Sequence, residues 1–212
     1  PKLVKKTDNK ERQISLVDYI LLVNTLMCLI IVLFYSSGHA GISLLFERGE
    51  FTRENTTNVF IIALILSVSL PSNGIRDLLY RYFYMNKDTL TPFKNSIVIS
   101  LINILLSILL SIYFGLYGVV LGTILASFIS LFLISLKFKR KFQIHFNSKL
   151  FIVENSKIVF ITFISILVSI LIKNIFIIEN SILALIIYSI PPLLLHVLLL
   201  RFFKSKVFKL KL

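Results

Sequence analysis

The chain has 212 residues, 57% of them hydrophobic, with a formal charge of +13 and a mean hydropathy of +0.90. Soluble domains average about 45–50% apolar; here the excess is gathered into uncharged runs, each long enough to cross roughly 30 Å of hydrocarbon as a helix. An ordinary soluble domain is excluded, and the single cysteine, Cys28, leaves no disulfide framework or cysteine metal set to build.

The first residue is Pro1, and PKLVKKTDNKERQ lacks the apolar core of a signal peptide. The chain therefore reads as a piece of a longer protein. Six spans are expected, which makes the fold class an all-α, polytopic membrane helix bundle. The first is placed at about 16–36, with a short apolar piece at 42–46 after Gly38 and Gly41. LLFERGEFTRENTTN (44–58) follows, a charged knot between two apolar runs. Gly49 suits the left-handed end of a helix, Thr52 suits an N-cap, and Glu54 suits the first turn of the next helix.

The second span is placed at about 55–75, with a break expected at Pro71 in the sequence Pro71-Ser72-Asn73-Gly74. Beyond it lie Arg76, Asp77 and Arg81; Asp77 and Arg81 are spaced to pair on one helical face. The two arginines could hold an anionic head group or simply anchor the chain in membrane lipid. In KDTLTP (87–92), Thr91 is expected to cap a helix that has Pro92 at its first position.

From Lys94 to Lys137 there are 42 residues without charge. That length predicts two spans, about 95–113 and 117–136, joined by a tight turn in YFGLYG. Ser96, Ser100, Asn103, Ser107 and Ser111 fall on one face of the third span. Gly118, Gly122, Ala126 and Ser130 recur at every fourth position of the fourth, a spacing that lets helices approach closely. Such polar faces suit packing, or a wet cavity or ion site. Asn103 and Ser107, one turn apart, could offer two oxygens to a hard cation. A basic connection (137–156) leads to a last pair of helices within 157–200, with Thr162, Ser165 and Ser169 on one face of the fifth span and His196 in the sixth. A basic tail (201–212) closes the chain.

Assigned to the connections in order, the 23 Lys and Arg residues divide 20 to 3 between alternate sides. Cytoplasmic loops hold the excess, so both ends of the chain are expected in the cytoplasm and the 47–54 knot outside. The +13 is then an orientation signal aided by anionic lipid, not a nucleic-acid footprint. No metalloprotease, nucleophile-elbow or phosphate-loop motif occurs, which points away from an enzyme and toward transport or a structural membrane role.

LLFERGEFT (44–52) followed by LPSNGIRDLLYRYFYMNKDTLTP (70–92) resembles the second-lobe pattern of the MurJ/MviN-type lipid II flippases. The matching residues are Phe46, Arg48, Gly49, Phe51, Thr52, Leu70, Pro71, Arg81, Phe83, Tyr84, Asp88, Thr89, Thr91 and Pro92; NILLS and YGVVLGT further on also fit. The resemblance covers about 1–136 and implies part of a two-lobe flippase fold. Residues 1–136 would be the last four helices of the second lobe, and 157–200 an extra C-terminal pair bordering a groove for the lipid tail. The first lobe and the start of the second would lie outside this chain.

The implied cargo is an undecaprenyl-diphosphate-linked peptidoglycan precursor, moved across the bacterial inner membrane by alternating access. The resemblance also implies a sodium site at Asn103, Ser107, the Val119 carbonyl and Thr123, with serine at 107 where ion-binding members have a carboxylate. Two alternatives stay open: a flippase for another polyprenyl-linked polysaccharide, and a non-transporting membrane scaffold.

Overall fold

A computed structural model describes residues 9–143, 148–176, 178, 180–203 and 205, with side chains at 16–143 and from 152 onward. The described residues form seven helices: α1 (Asn9–Phe46), α2 (Arg53–Ser67), α3 (Leu70–Met85), α4 (Leu90–Phe114), α5 (Leu116–Phe142), α6 (Ser148–Ile175) and α7 (Ser181–Phe202). Five contain a stretch long and apolar enough to cross a membrane, and α2 with α3 adds a sixth if the pair is one interrupted span. The class is the all-α membrane bundle expected from composition. Residues 1–8, 144–147 and 206–212, which hold parts of the basic N-terminus, connection and tail, lie outside the described residues.

The helices gather into two compact units. The first comprises 1–24 and 68–152, the second 25–67 and 153–212. The division runs through α1.

In the first unit, α4 and α5 form an antiparallel hairpin turning at Gly115. Its φ of +55° with ψ of −132° is a backbone conformation that side chains strongly disfavour. Gly118, Gly122, Ala126 and Ser130 are all buried. A Cβ at Gly118 would stand 2.2 Å from the Leu110 carbonyl oxygen, and one at Gly122 would stand 2.7 Å from the Ser107 amide nitrogen. The two backbones meet there with no room for a methyl, so the row of small residues is a packing surface.

One end of this unit is held by aromatic rings. Leu16 and Ile20 of α1, Leu79, Tyr82 and Phe83 of α3, and Ile134 and Phe138 of α5 form its core. Ring centroids of Tyr82, Phe83, Phe138 and Phe142 lie 4.9–5.9 Å apart, mostly edge-on or tilted, as the ring quadrupoles favour. Lys141 lies against two of these rings, about 6 Å from the centroids of Phe83 and Phe142.

Local structure departs from the sequence expectation in four places. First, α1 does not end near residue 36; Gly38 and Gly41 are interior helical residues. A helical glycine costs only about 1 kcal/mol, and Gly38 makes room for Phe60, whose ring would stand 3.0 Å from a Cβ. Second, Pro71 starts a helix instead of breaking one. The interruption is at Val68–Ser69, and Pro71 occupies the first turn of α3, where its missing N–H costs nothing.

Third, Asp77 pairs with Arg76 rather than Arg81: Arg76 Nε and Nη2 donate to Asp77 Oδ1 at 3.0 and 2.9 Å. Arg81 is exposed. Fourth, Thr91 does not cap α4. The acceptor is Asp88, which receives the Thr91 amide at 2.9 Å and the Thr91 hydroxyl at 2.7 Å. Lys141 Nζ also donates to Asp88. Those bonds, Lys141 first, hold the Asp88 carboxyl down at about 2.

In the second unit, Glu47 accepts from the Thr56 hydroxyl at 3.1 Å. Bonds from Ser43 above all, and from Thr56, keep its carboxyl below the usual carboxylate range. The charged knot is thereby fastened to the start of α2. Between α6 and α7, the Ser165 hydroxyl meets buried His196 Nδ1 at 3.2 Å.

The α4–α5 contact makes a definite prediction. Gly118→Ala forces the two backbones apart and should destabilise the protein by about 1–3 kcal/mol. Gly41→Ala, whose Cβ would meet only the Leu185 side chain at 3.9 Å, should be neutral. Thermal unfolding in detergent compares them; equal midpoints would contradict the packing described.

Candidate functional site

The hairpin register that closes α4 on α5 brings all four expected cation ligands together. Ser107 Oγ donates to Asn103 Oδ1 at 3.2 Å and lies 3.5 Å from the Val119 carbonyl oxygen. Thr123 Oγ1 donates to the same carbonyl at 3.1 Å. Asn103, Ser107, Val119 and Thr123 thus form one chain of oxygens spanning two helices. Val119 is exposed and the other three are half-buried.

The donor set is the right kind for a hard cation, since such ions take carbonyl, amide and hydroxyl oxygens. Its charge is zero, and its hydroxyl protons point at the other oxygens of the set. An ion entering here would have the Ser107 and Thr123 hydroxyls turn their lone pairs toward it. With no carboxylate in the set, the Coulomb attraction that usually holds a cation at such a site is lacking.

The rest of the expected serine stripe does not act as one face. Ser96 and Ser100 are exposed, and Ser111 donates to the Ile108 carbonyl of its own helix at 2.8 Å. The buried polar contact of α4 is Asn95, absent from the sequence-based set. Asn95 is fully buried; its Nδ2 donates to the Tyr80 hydroxyl at 2.8 Å and to Ser130 Oγ at 3.1 Å. It ties α3, α4 and α5 together. No periodicity in the sequence marks it, because the pairing depends on the register that sets Ser107 against Gly122.

The two arginines differ. Arg76 is engaged by Asp77, and its guanidinium lies 5.7 Å from the centroid of the Tyr80 ring. Arg81, one helical turn beyond Asp77, is exposed and makes no ion pair among the described residues.

A second polar region went unnoticed in the sequence because its parts are far apart along the chain. In the second unit, a cavity of about 770 Å³ is lined by residues including His39, Arg53, Phe60, Lys173 and Ser181. Lys173, the charge near the end of the fifth expected span, donates to the Tyr35 carbonyl at 2.7 Å.

A family model described as "Lipid II flippase MurJ" matches residues 1–199. A solved structure titled "Lipid II flippase MurJ, inward closed conformation" has a similar fold, with a TM-score of 0.72 at 25% identity. The likeness covers 95% of this chain and 40% of that one, so the chain spans well under half the length of the solved flippase. No curated protein matches the chain. With the family model matching 199 of its 212 residues, the chain belongs to the MurJ lipid II flippase family.

Proposed function

We propose that this chain is the C-terminal part of a transporter that carries lipid II, an undecaprenyl-diphosphate-linked cell-wall precursor, across the bacterial inner membrane by alternating access. The observation that carries the reading is family membership over nearly the whole chain, joined to a fold likeness that occupies only part of a full flippase. The remaining helices of the same protein, including its first lobe, are then the chain's principal partner.

In this reading α4 and α5 move as one body, because their backbones touch at Gly118 and Gly122. Asp88 locks the start of α4 to the end of α5 through Thr91 and Lys141. The 20-to-3 division of basic residues supports cytoplasmic ends for the chain and an outer position for the 47–54 and 173–179 connections. Arg81, exposed at the cytoplasmic side, is the arginine available to a diphosphate head group or to anionic lipid; Arg76 already serves Asp77.

Asn103, Ser107, the Val119 carbonyl and Thr123 would supply four neutral oxygens to a coupling sodium ion, with further ligands from the rest of the transporter. Serine at 107 makes this a weak site. In the full-length protein, Ser107→Asp should strengthen sodium stabilisation at least about tenfold in apparent affinity. Asn103→Leu should abolish it. Thermal unfolding in sodium against potassium chloride reads both; identical sodium responses in parent and variants would remove the site.

The transport reading is tested by complementation. The full-length parent, expressed in a host depleted of its own lipid II flippase, should restore growth and precursor export. Stable expression with no rescue would overturn it. Rescue of a polysaccharide-export defect alone would reassign the cargo to another polyprenyl-linked glycan.

A further inference from the structure

The cavity of the second unit has a chemistry that the α4–α5 oxygens lack. Its wall draws on the ends of four helices. His39 and Ser43 come from the last turns of α1, Arg53 from the first residue of α2, Lys173 from the last turn of α6, and Ser181 from the first residue of α7. All four are ends that meet the 47–52 or 176–180 connection, so the cavity lies where the spans give way to water.

Among the described residues, its positive charges make no ion pair. Lys173 uses one N–H on the Tyr35 carbonyl, and its ammonium lies 5.3 Å and 5.7 Å from the ring centroids of Tyr35 and Phe60. These contacts hold the ammonium in place without neutralising it. Among the described residues, no carboxylate lies within ion-pair distance of either Lys173 or Arg53. Among the described residues, Glu47 is the carboxylate on the wall; the Thr56 hydroxyl donates to it, and its negative charge offsets part of the Arg53 charge. His39 adds a ring nitrogen 3.3 Å from the Thr57 hydroxyl.

Two helix N-termini also meet the wall, with the Ile182 and Leu183 amides of α7 already donating to Asn180. α2 begins at Arg53 and α7 at Ser181, both on the wall, and each carries the positive end of a helix dipole. The lining also includes the apolar side chains of Ala40, Phe60, Ile178 and Ala184, with the Phe60 ring beside Lys173 and His39. A volume of about 770 Å³ lies within the range of small-molecule sites.

Two cations, hydroxyls and apolar side chains around one cavity, at helix ends that meet the connections between spans, fit one ligand chemistry. We propose that this cavity binds the phosphate of a lipid head group, with Lys173 as a fixed point charge and Arg53 as a bidentate donor. The apolar side chains of the lining receive the carbon adjoining the phosphate. The site is separate from the α4–α5 oxygens and does not depend on the cargo being lipid II; failed complementation would leave it standing, and its loss would leave the transport reading standing.

The test uses the full-length protein in neutral detergent, with dioctanoyl phosphatidic acid as probe and binding followed by native mass spectrometry. Lys173→Gln and Arg53→Gln should each weaken binding at least about tenfold, as expected when one charge-assisted contact is lost. Lys173→Arg should retain most of it, and dioctanoyl phosphatidylcholine, which carries its own cation, should bind far more weakly. Arg53 is exposed at a helix start, so its variant decides the matter if Lys173→Gln does not fold. Competition separates the sources of the phosphate. Displacement by inorganic phosphate at matching concentration assigns the pocket to the free anion; resistance to it assigns the pocket to the lipid. Parent-like affinity in both glutamine variants, or equal binding of the two lipids, would overturn the proposal.

Discussion

Hydrocarbon offers no hydrogen bonds, so a chain crossing it must satisfy every backbone N–H and C=O from within. That constraint explains why the described residues are almost wholly helical and where the helices stop. Several breaks fall where side chains or turns replace lost bonds: at 47–52, where the Phe51 amide reaches the Arg48 carbonyl at 3.2 Å; at 86–89, where Asp88 receives the Thr91 amide; and at Gly115, whose amide still reaches the Ser111 carbonyl at 2.9 Å. Asn180 serves the same end for α7, accepting the Ile182 and Leu183 amides.

A second constraint follows from the first. When lipid surrounds both the packed and the separated helices, burial of apolar surface no longer drives them together, and close packing and polar contacts must. The α4–α5 hairpin uses both. Its backbones touch at Gly118 and Gly122, and Asn95 bonds to Tyr80 and Ser130 further along. At the end carrying the basic residues, the chain changes method. There rings do the packing, and Lys141 serves at once as partner to Asp88 and as a cation against Phe83 and Phe142. Along the hairpin these devices run in order from the Gly115 turn to the basic end.

Most of the architecture was legible in the sequence because spans advertise themselves by length and by absence of charge. The small-residue row was legible too, and the structure assigns it to packing, since Cβ atoms at Gly118 and Gly122 would strike the α4 backbone. Boundaries were harder. Gly38 and Pro71 both looked like breakers, yet one makes room for Phe60 and the other opens a helix. Breaker residues state what a backbone tolerates, and neighbours decide what it does. Pairings that depend on register or on distant chain segments, such as Asn95 with Ser130 or Lys173 with Tyr35, could not be read from periodicity. The candidate cation ligands were placed by family resemblance and then found adjacent; nothing in their spacing alone would have joined Val119 to Ser107.

The account rests on α2 and α3 crossing the membrane as one interrupted span, since that crossing sets the side on which every later connection lies. Single cysteines at Glu50 and Lys87, in a full-length protein with Cys28 replaced, test it with a membrane-impermeant maleimide applied to intact cells. The account predicts labelling at 50 from outside and at 87 only after the membrane is opened. Labelling of both positions from the same side would make α2 and α3 a re-entrant loop and would contradict it.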